Sequence, residues 1–229
     1  HQCFRRQRQM CIRDRMITTY KNMFDYQTYY TNTVDNLRYY CIDENLNLPS
    51  VTTILRSTKN YTNNYKLTSA MEVGDYMHQY LQNHIMEPDR NDQFIKSNNY
   101  LLAESLAKIV ILELINDFTE IWGSEVSVYF KDEYAGTIDL IGIHENEVTI
   151  VDYKSSYKHK DEKGLYDYYL QCAAYAIAHD WLFKTNIESI KIFQITRSGE
   201  FCINVARGED FSNYKLNWFD RLKQFNNRV

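Results

Sequence analysis

The residues best suited to chemistry lie at the polar ends of two predicted strands, Asp139 in GTIDLIGI and Asp152 with Lys154 in IVDYKSS. Residues two apart on an extended strand point to one face, so Asp152 and Lys154 share the face that begins with Val148 and Ile150. An unpaired charge is costly to bury, but carboxylates on neighbouring hairpin strands can converge on one cation, and Mg²⁺ prefers oxygen ligands. The spacing therefore predicts a Mg²⁺ or Mn²⁺ ion held by Asp139 and Asp152.

A cation at that point would polarise a phosphoryl oxygen and lower the pKa of a bound water. Lys154 could then orient that water or stabilise charge that develops on the phosphate. Each residue alone has an ordinary alternative, because a strand-end acid commonly pairs with a lysine and D-x-K is a common tripeptide. Together the three residues predict metal-dependent cleavage of a phosphodiester.

The elements that must position these residues follow from the periodicity of apolar side chains. Strands are predicted at 124–130, 136–143 and 147–155, with turns in EYAG and HENE, and a last hairpin joins SIKIFQIT to EFCINVA around Ser198-Gly199. Helices are predicted at 69–86, 101–122, 166–183 and 209–226. This order predicts the α/β fold class, with a central mixed β-sheet flanked by helices in one domain.

The region before these elements shows weaker signals. LRYYCIDENLNL is typical of a hairpin with a turn near Glu44-Asn45, and NYTNNYK at 60–66 is typical of a loop. Between them, LPSVTTIL carries a helix-start signal at Pro49-Ser50, with Ser50 or Thr52 as the cap.

Composition limits the class of protein. The 229 residues, 44% hydrophobic and 15% aromatic, are enough for one sizeable folded domain. No apolar run approaches the roughly 20 residues that cross a bilayer, so no membrane partner is expected. Cys41, Cys172 and Cys202 are widely spaced without a CxxC pair, which argues against a zinc site, an iron–sulfur cluster or a disulfide framework. We expect buried thiols in a reducing cell interior.

Residues 1–15, HQCFRRQRQMCIRDR, are rich in arginine and do not begin with Met. They are either an Arg-rich targeting segment or a non-native extension; we favour the extension, because the stretch lacks the Ser/Ala character and length of a transit peptide. The domain would then be 16–229. Without the extension, Lys+Arg falls from 26 to 21 and Asp+Glu from 30 to 29, so the net charge changes from −4 to −8. A nucleic-acid partner would then need a local basic lining.

GTIDLI followed by VDYKSS resembles the core of the PD-(D/E)xK nuclease superfamily, in its RecB-like branch. The resemblance implies a restriction-endonuclease-like core in which Asp139, Asp152 and Lys154 are catalytic. It also implies that the peptide carbonyl of Tyr153, directly after the second acid, joins the metal shell.

Three further motifs resemble the same branch. GDYMH matches its G-x-x-x-H helix signature, which makes His78 a candidate metal ligand. QCAAY matches Q-x-x-x-Y, which implies that Gln171 is a catalytic residue and places Tyr175 on the same helical face. Glu125 in GSEVSVY resembles the glutamate that opens the first core strand, a possible neighbour of the site. Each residue has an alternative interpretation. His78 could be a structural histidine, Gln171 could cap a sheet edge, and Glu125 could be a solvated acid on a strand.

LPSVTTIL resembles the P-S-V-T segment of a narrower group, the mitochondrial genome maintenance exonuclease and its phage relatives. In that group the Ser and Thr contact DNA phosphates, which implies DNA contacts for Ser50 and Thr52, and helix-start groups suit an anion. The likeness runs from about residue 34 to the C-terminus. There are two departures: only RSTKNYTNNYKLTS separates this segment from the histidine helix, and Gln82 stands where an acid often follows the histidine. These departures concern the residues that would hold the DNA strand more than the residues that would carry out the chemistry.

The loop after the catalytic strand carries Lys158, His159, Lys160 and Lys163. This cluster is the predicted phosphate-steering patch, with a solvated loop as the alternative. Tyrosine is abundant, at 20 residues, and a few of these rings could stack on unpaired bases.

We therefore expect a monomeric, metal-dependent DNA exonuclease that hydrolyses single-stranded DNA from a free end. Two alternatives stay open: an endonuclease of the same fold, of restriction or junction-resolving type, and a non-catalytic DNA-binding module. The intact set of Asp139, Asp152 and Lys154 argues against the second alternative. We expect an intracellular, cytoplasmic protein of phage or bacterial origin rather than a mitochondrial one.

Overall fold

The computed structural model describes residues 19–59, 68–88 and 97–228. The main sheet has six strands in the order β1-β5-β6-β7-β8-β9: β1 (Thr19–Tyr20), β5 (Phe118–Phe130), β6 (Tyr134–His144), β7 (Glu147–Ser156), β8 (Ser189–Thr196) and β9 (Phe201–Arg207). A smaller sheet contains β2 (Tyr30–Val34), β3 (Leu37–Cys41) and β4 (Asn47–Pro49). The helices are α1 (Val51–Ser57), α2 (Thr68–Met86), α3 (Asn98–Glu113), α4 (Glu162–Phe183) and α5 (Gly208–Asn226). The predicted extension 1–15 and the predicted loop 60–66 lie outside the described residues.

The main sheet is mixed, as the sequence predicts. Strands β5, β6 and β7 pair antiparallel in succession, and β8 pairs antiparallel with β9. β7 and β8 pair in parallel, since α4 crosses over between them, and β1 adds to β5 in parallel. The fold is therefore α/β, with a mixed central sheet and flanking helices.

Helices cover the sheet on both faces. One face packs against α1, α4 and α5 through residues such as Ile150 and Trp218. The other packs against α2 and α3 through residues such as Val151 and Met77. Burial on both faces explains why the central strands are apolar at consecutive positions rather than at alternate ones. No helix in the described parts of the chain has the length and apolar character to cross a membrane.

Two predicted boundaries are wrong. The helix predicted at 101–122 ends at Glu113, and after a 3-10 turn at Ile115–Asp117 the chain enters β5 at Phe118. The error arises because a continuous apolar run does not distinguish a buried helix from a buried strand. The turn predicted in EYAG ends before Tyr134, which already belongs to β6. Strands β1 and β2 were not predicted, because their sequences lack an apolar alternation.

The turn in HENE, the last hairpin and the helices predicted at 69–86 and 209–226 are confirmed, whereas the helix predicted at 166–183 begins earlier, at Glu162. In HENE, Glu145 and Asn146 have φ of 53° and 65°, the conformation of a two-residue hairpin turn that matches strand twist. Cys41 and Cys172 are free, as expected. Cys202 is disulfide-bonded, so the expectation of a third thiol is wrong. Spacing along the sequence cannot reveal which distant cysteines pair.

The smaller sheet and α1 pack against the first part of β6, a central strand of the main sheet, where Ser50 forms a bridge with Ala135. The predicted hairpin forms as β3 and β4, and the Tyr40 hydroxyl lies 2.9 Å from the Thr137 hydroxyl of β6. Ser50 is the N-cap of α1: its hydroxyl accepts a hydrogen bond from the Thr53 amide at 3.0 Å. Ser50 is fully buried, whereas Thr52 is exposed. Ser50 therefore serves first to begin the helix.

Replacing the cap should cost stability. We expect Ser50→Ala to lower the free energy of unfolding by about 1 kcal/mol, since it removes an N-cap hydroxyl. The matched control is Thr52→Ala, an exposed position in the same turn, which should stay within about 0.5 kcal/mol of the parent. Urea denaturation measures both, and equal losses for the two variants would contradict this role for Ser50.

Candidate active site

The two acids predicted as metal ligands lie where β6 and β7 separate. Leu140 and Val151 form the last ladder pair before the separation. Beyond it, Asp139 Oδ2 accepts a hydrogen bond from the Tyr153 amide at 2.7 Å, so its carboxylate occupies the place of a ladder carbonyl. Asp139 is 7% exposed and Asp152 is 1% exposed. Two acids are thus buried at one point on adjacent strands.

His78 connects the acids to helix α2. Its Nδ1 lies 2.9 Å from Glu125 Oε1 and 3.7 Å from Asp139 Oδ2, and its Nε2 lies 3.2 Å from the Tyr153 carbonyl oxygen. Burial would lower the pKa of His78, but the charges of Asp139 and Glu125 outweigh it and raise the pKa to about 9. Both ring nitrogens therefore donate hydrogen bonds at neutral pH. To serve as a metal ligand, His78 would first have to release a proton.

Backbone features in α2 and β5 set the position of His78. Gly74 lies one turn before it, and a Cβ at Gly74 would lie 3.6 Å from Ser155 Oγ, so α2 crosses β7 closely at this point. Glu125 lies within β5 with φ of 53°, a left-handed conformation that is uncommon for a residue other than glycine. Such strain is typically retained at functional sites. Here it accompanies the contact between Glu125 and His78.

Lys154 forms an ion pair with Asp152. Its Nζ donates to Asp152 Oδ1 at 2.7 Å, and the lysine side chain is 22% exposed. Burial raises the pKa of Asp152 to about 6, against the opposing effect of Lys154. Burial would lower the pKa of Lys154, but the carboxylates of Asp152 and Asp139 outweigh it and raise that pKa above its ordinary value. Lys154 is therefore an ammonium group at neutral pH.

The donor groups at this point fit a divalent cation. Ligand atoms of His78, Glu125 and Asp139 all lie within 4.8 Å of one another. Asp152 is not part of that group of three, and its Oδ2 lies 2.7 Å from Lys154 Nζ, so a cation bound at Asp152 would share this carboxylate with the ammonium group. Oxygen-rich sets of this kind suit Mg²⁺ or Mn²⁺. The sequence named Glu125 only as a possible neighbour, but the structure places it among the potential ligands.

Gln171 and Tyr175 form one unit on α4. Gln171 Nε2 donates to the Tyr175 hydroxyl at 2.9 Å, and both side chains are buried. The Tyr175 ring lies against β6 at Gly136, where a Cβ would come within 2.2 Å of it. The pKa of Tyr175 is raised by burial first and then by Tyr40 and the carboxylates of Asp152 and Asp139, so the unit lies within electrostatic reach of the acids.

Tyr168 is a site residue that sequence reasoning missed. Its ring centroid lies 4.9 Å from Lys154 Nζ and 4.1 Å from Lys160 Nζ, and Lys160 also donates to its hydroxyl. The Lys160 amide donates to Gln194 Oε1 at 2.8 Å, which fixes the loop against β8. The available signal was position, because Tyr168 lies one helical turn before Gln171. The ring holds two lysines by cation–π contact.

The predicted DNA-contacting residues differ in their exposure. Lys158 and Lys163 are exposed, Lys160 is exposed but contacts Tyr168, and Thr52 is exposed. Ser50 is buried with its hydroxyl in the helix cap, so it reaches a phosphate only if α1 moves. The structure thus leaves Thr52 as the accessible hydroxyl of the pair.

Comparisons with known proteins are consistent with this geometry. A family model described as the PD-(D/E)XK nuclease superfamily matches residues 51–205. No curated protein sequence matches the chain significantly. Among solved structures, a candidate exonuclease from Eubacterium rectale is similar at 15% identity, with 77% of this chain and 74% of that chain covered and a TM-score of 0.47. SSO0001 is similar at 15% identity, with 76% and 83% covered and a TM-score of 0.30.

The shared ring predicts a graded effect on cleavage. Tyr168→Leu removes the ring that holds Lys154, so we expect the maximal cleavage rate to fall about 2- to 30-fold, the range of a cation–π contact. Tyr168→Phe keeps the ring and loses only the hydroxyl contact with Lys160, so it should retain the maximal rate and raise KM at most. Steady-state kinetics on a DNA strand separate the two quantities. Equal loss of maximal rate in both variants would contradict the role assigned to the ring.

Proposed function

This chain belongs to the PD-(D/E)XK nuclease superfamily, and from that premise we propose that it is a metal-dependent exonuclease that hydrolyses single-stranded DNA from a free end. The observation that carries the proposal is the meeting of Asp139, Asp152 and Lys154 at one buried point. The ligand atoms of His78 and Glu125 lie within 4.8 Å of a carboxylate oxygen of Asp139. The membership supports nuclease chemistry, and the charge distribution described below supports the single-strand assignment. The exonuclease assignment rests on the resemblance of LPSVTTIL to the P-S-V-T segment.

The acids and the ammonium group have separate roles in this proposal. Asp139 and Asp152, with Glu125, His78 and the Tyr153 carbonyl, would hold the Mg²⁺ or Mn²⁺ ion. When bound, that ion supplies an activated water and neutralises phosphate charge. The remaining chemistry belongs to the side chains of the chain itself.

Lys154 acts as a charged donor rather than as a base. The carboxylates of Asp152 and Asp139 raise the pKa of Lys154 against the effect of burial, which favours the ammonium form at neutral pH. An ammonium group has three N–H donors, and Asp152 Oδ1 takes one of them. The remaining donors can stabilise charge on the phosphate in the transition state, the largest single contribution at many active sites. Tyr168 limits where this ammonium group can lie.

Gln171 and Tyr175 support the site from α4, where both side chains are buried against β6. Because their side chains are joined and buried against β6, they restrict how α4 can move relative to the acids. Packing of this kind keeps a catalytic group within the small tolerance that efficient chemistry requires. We assign them a positioning role, since no hydrogen bond among the described residues joins them directly to the carboxylates.

The charge distribution supports a single strand rather than a duplex. The whole chain has a net charge of −4, so its surface does not attract a polyanion in general. A groove of about 1080 Å³ along β9 is lined by five carboxylate residues and four lysines or arginines among the described residues, which makes it a poor path for phosphates. Of the exposed cations that follow β7, Lys163 lies in the lining of this groove and Lys158 lies outside it. A flexible strand can pass a narrow basic region, whereas a duplex presents two charged backbones.

The substrate assay tests the proposal directly. With Mg²⁺ or Mn²⁺, linear single-stranded DNA should be degraded much faster than blunt duplex of the same sequence, and closed circular single-stranded DNA should stay intact because it offers no end. Chelation of the metal should stop the reaction. Gel analysis of end-labelled and circular substrates gives all three results. Cutting of the circle would replace the proposal with an endonuclease, and no cleavage with any divalent metal would leave a non-catalytic module.

Variants of the ion pair separate catalysis from metal binding. Lys154→Ala should reduce cleavage by on the order of 100-fold or more, because a donor to the transition state is lost. It should bind metal at least as tightly as the parent, since it also removes the cation that competes for Asp152. Asp152→Asn, the matched variant, should lose both cleavage and metal affinity, because a neutral amide replaces a charged ligand. Isothermal titration calorimetry measures the metal affinities; weaker binding by Lys154→Ala would refute its assignment.

A further inference from the structure

Tyr157 exposes a large aromatic surface just beyond the end of β7. It follows Lys154 by three residues, and 66% of its surface is exposed. Single exposed apolar residues are normal on protein surfaces. Exposure alone therefore assigns no role to this ring. The ordered backbone around the ring and the cations beside it indicate its role.

The backbone on both sides of Tyr157 is held in place. The Ser156 hydroxyl donates to the Lys158 carbonyl at 2.7 Å, which closes a turn around Tyr157. The Arg197 amide donates to the Ser156 carbonyl at 3.0 Å, which ties the turn to the end of β8. The ring is thus carried by an ordered turn next to the catalytic strand, and little conformational entropy would be lost when it contacts a ligand.

A cation lies over the ring. Arg197 Cζ lies over the Tyr157 ring, 5.7 Å from its centroid, and 66% of the tyrosine stays exposed despite this contact. Lys158, the next residue, is exposed. An aromatic ring with neighbouring cations is the combination that binds an unpaired nucleotide, because the base stacks while the cations attract its phosphate.

Two neighbouring aromatic rings already have partners. Tyr166 lies edge-on to Tyr214 with centroids 5.9 Å apart. Tyr168 lies between Lys154 and Lys160. Neither offers an open face comparable with that of Tyr157, which is the more exposed ring.

We propose that Tyr157 is a stacking platform for one unpaired base of the substrate strand, close to the bond that is cut. About 10 Å of chain separates it from Lys154, and a stacked nucleotide rises about 3.4 Å, so the base lies within roughly three nucleotides of that bond. This assignment rests on the proposed function, because it places the ring on the strand that Lys154 contacts. Stacking accepts any base, so the platform confers a preference for unpaired DNA without sequence specificity.

Abasic substrates test the platform by position. Linear single strands, each with one abasic nucleotide at successive positions from the end, are compared by the kcat/KM of their first cleavage. For the parent and Tyr157→Phe, one position should show a loss of about 5- to 150-fold, the range of a single stacked base. For Tyr157→Ala, the loss at that position should disappear, because the ring is already gone. Tyr30→Ala, an 87% exposed tyrosine of β2, is the matched control and should behave as the parent.

A binding measurement separates this inference from the proposed function. Fluorescence anisotropy with a chelator compares an ordinary strand with a fully abasic strand of the same length, and the preference for the ordinary strand should shrink in Tyr157→Ala. If the parent binds with this preference but cuts nothing, the platform stands and the exonuclease proposal fails. If the parent cuts but Tyr157→Ala keeps the abasic sensitivity of the parent, the platform fails alone. If no single strand binds, both fail.

Discussion

The removal of two carboxylates from water is the constraint on which the rest of this site depends. Asp139 and Asp152 are at most 7% exposed, and an isolated ion in such a place costs several kcal/mol. The chain offsets this cost with the Tyr153 amide and His78 beside Asp139 and with Lys154 beside Asp152. Two cationic groups face three carboxylates once Glu125 is included, so negative charge remains. That remaining charge is the physical reason why the site suits a cation.

The packing of the sheet fixes the positions of these carboxylates and of the groups around them. Burial on both faces fixes β6 and β7, and the separation of the two strands after Leu140 and Val151 admits the Asp139 carboxylate between them. The close crossing of α2 at Gly74 and the left-handed backbone of Glu125 bring the remaining donors to the same point. Stability gained in the core thus offsets local strain where the chemistry is placed. A loop would not hold these atoms as accurately.

Much of the fold was predictable because its signals are local. Apolar periodicity predicts the strands around Asp139 and Asp152, and Ser50 marks the start of α1. The boundary near Phe118 was not predictable, since an apolar run fits a buried helix and a buried strand equally well. Tyr168 and the Asp139–Tyr153 hydrogen bond were not predictable either, because both depend on distances between elements. Sequence spacing indicates which residues share a face, but only packing determines which side chains touch.

In the proposed function, the lysines that follow β7 have separate roles, one in positioning Lys154 and the others in binding the substrate. Lys160 lies on Tyr168, the ring that also holds Lys154, so a phosphate that attracted Lys160 would have to compete with this contact. Among the described residues, Lys158 and Lys163 make no contact with the Tyr168 ring. They can therefore bind the phosphate backbone of a DNA strand without disturbing Lys154. An acidic protein can therefore hold a polyanion through a few placed cations and an aromatic surface. The weak overall attraction then favours a strand that threads and moves on over one that is held along its length.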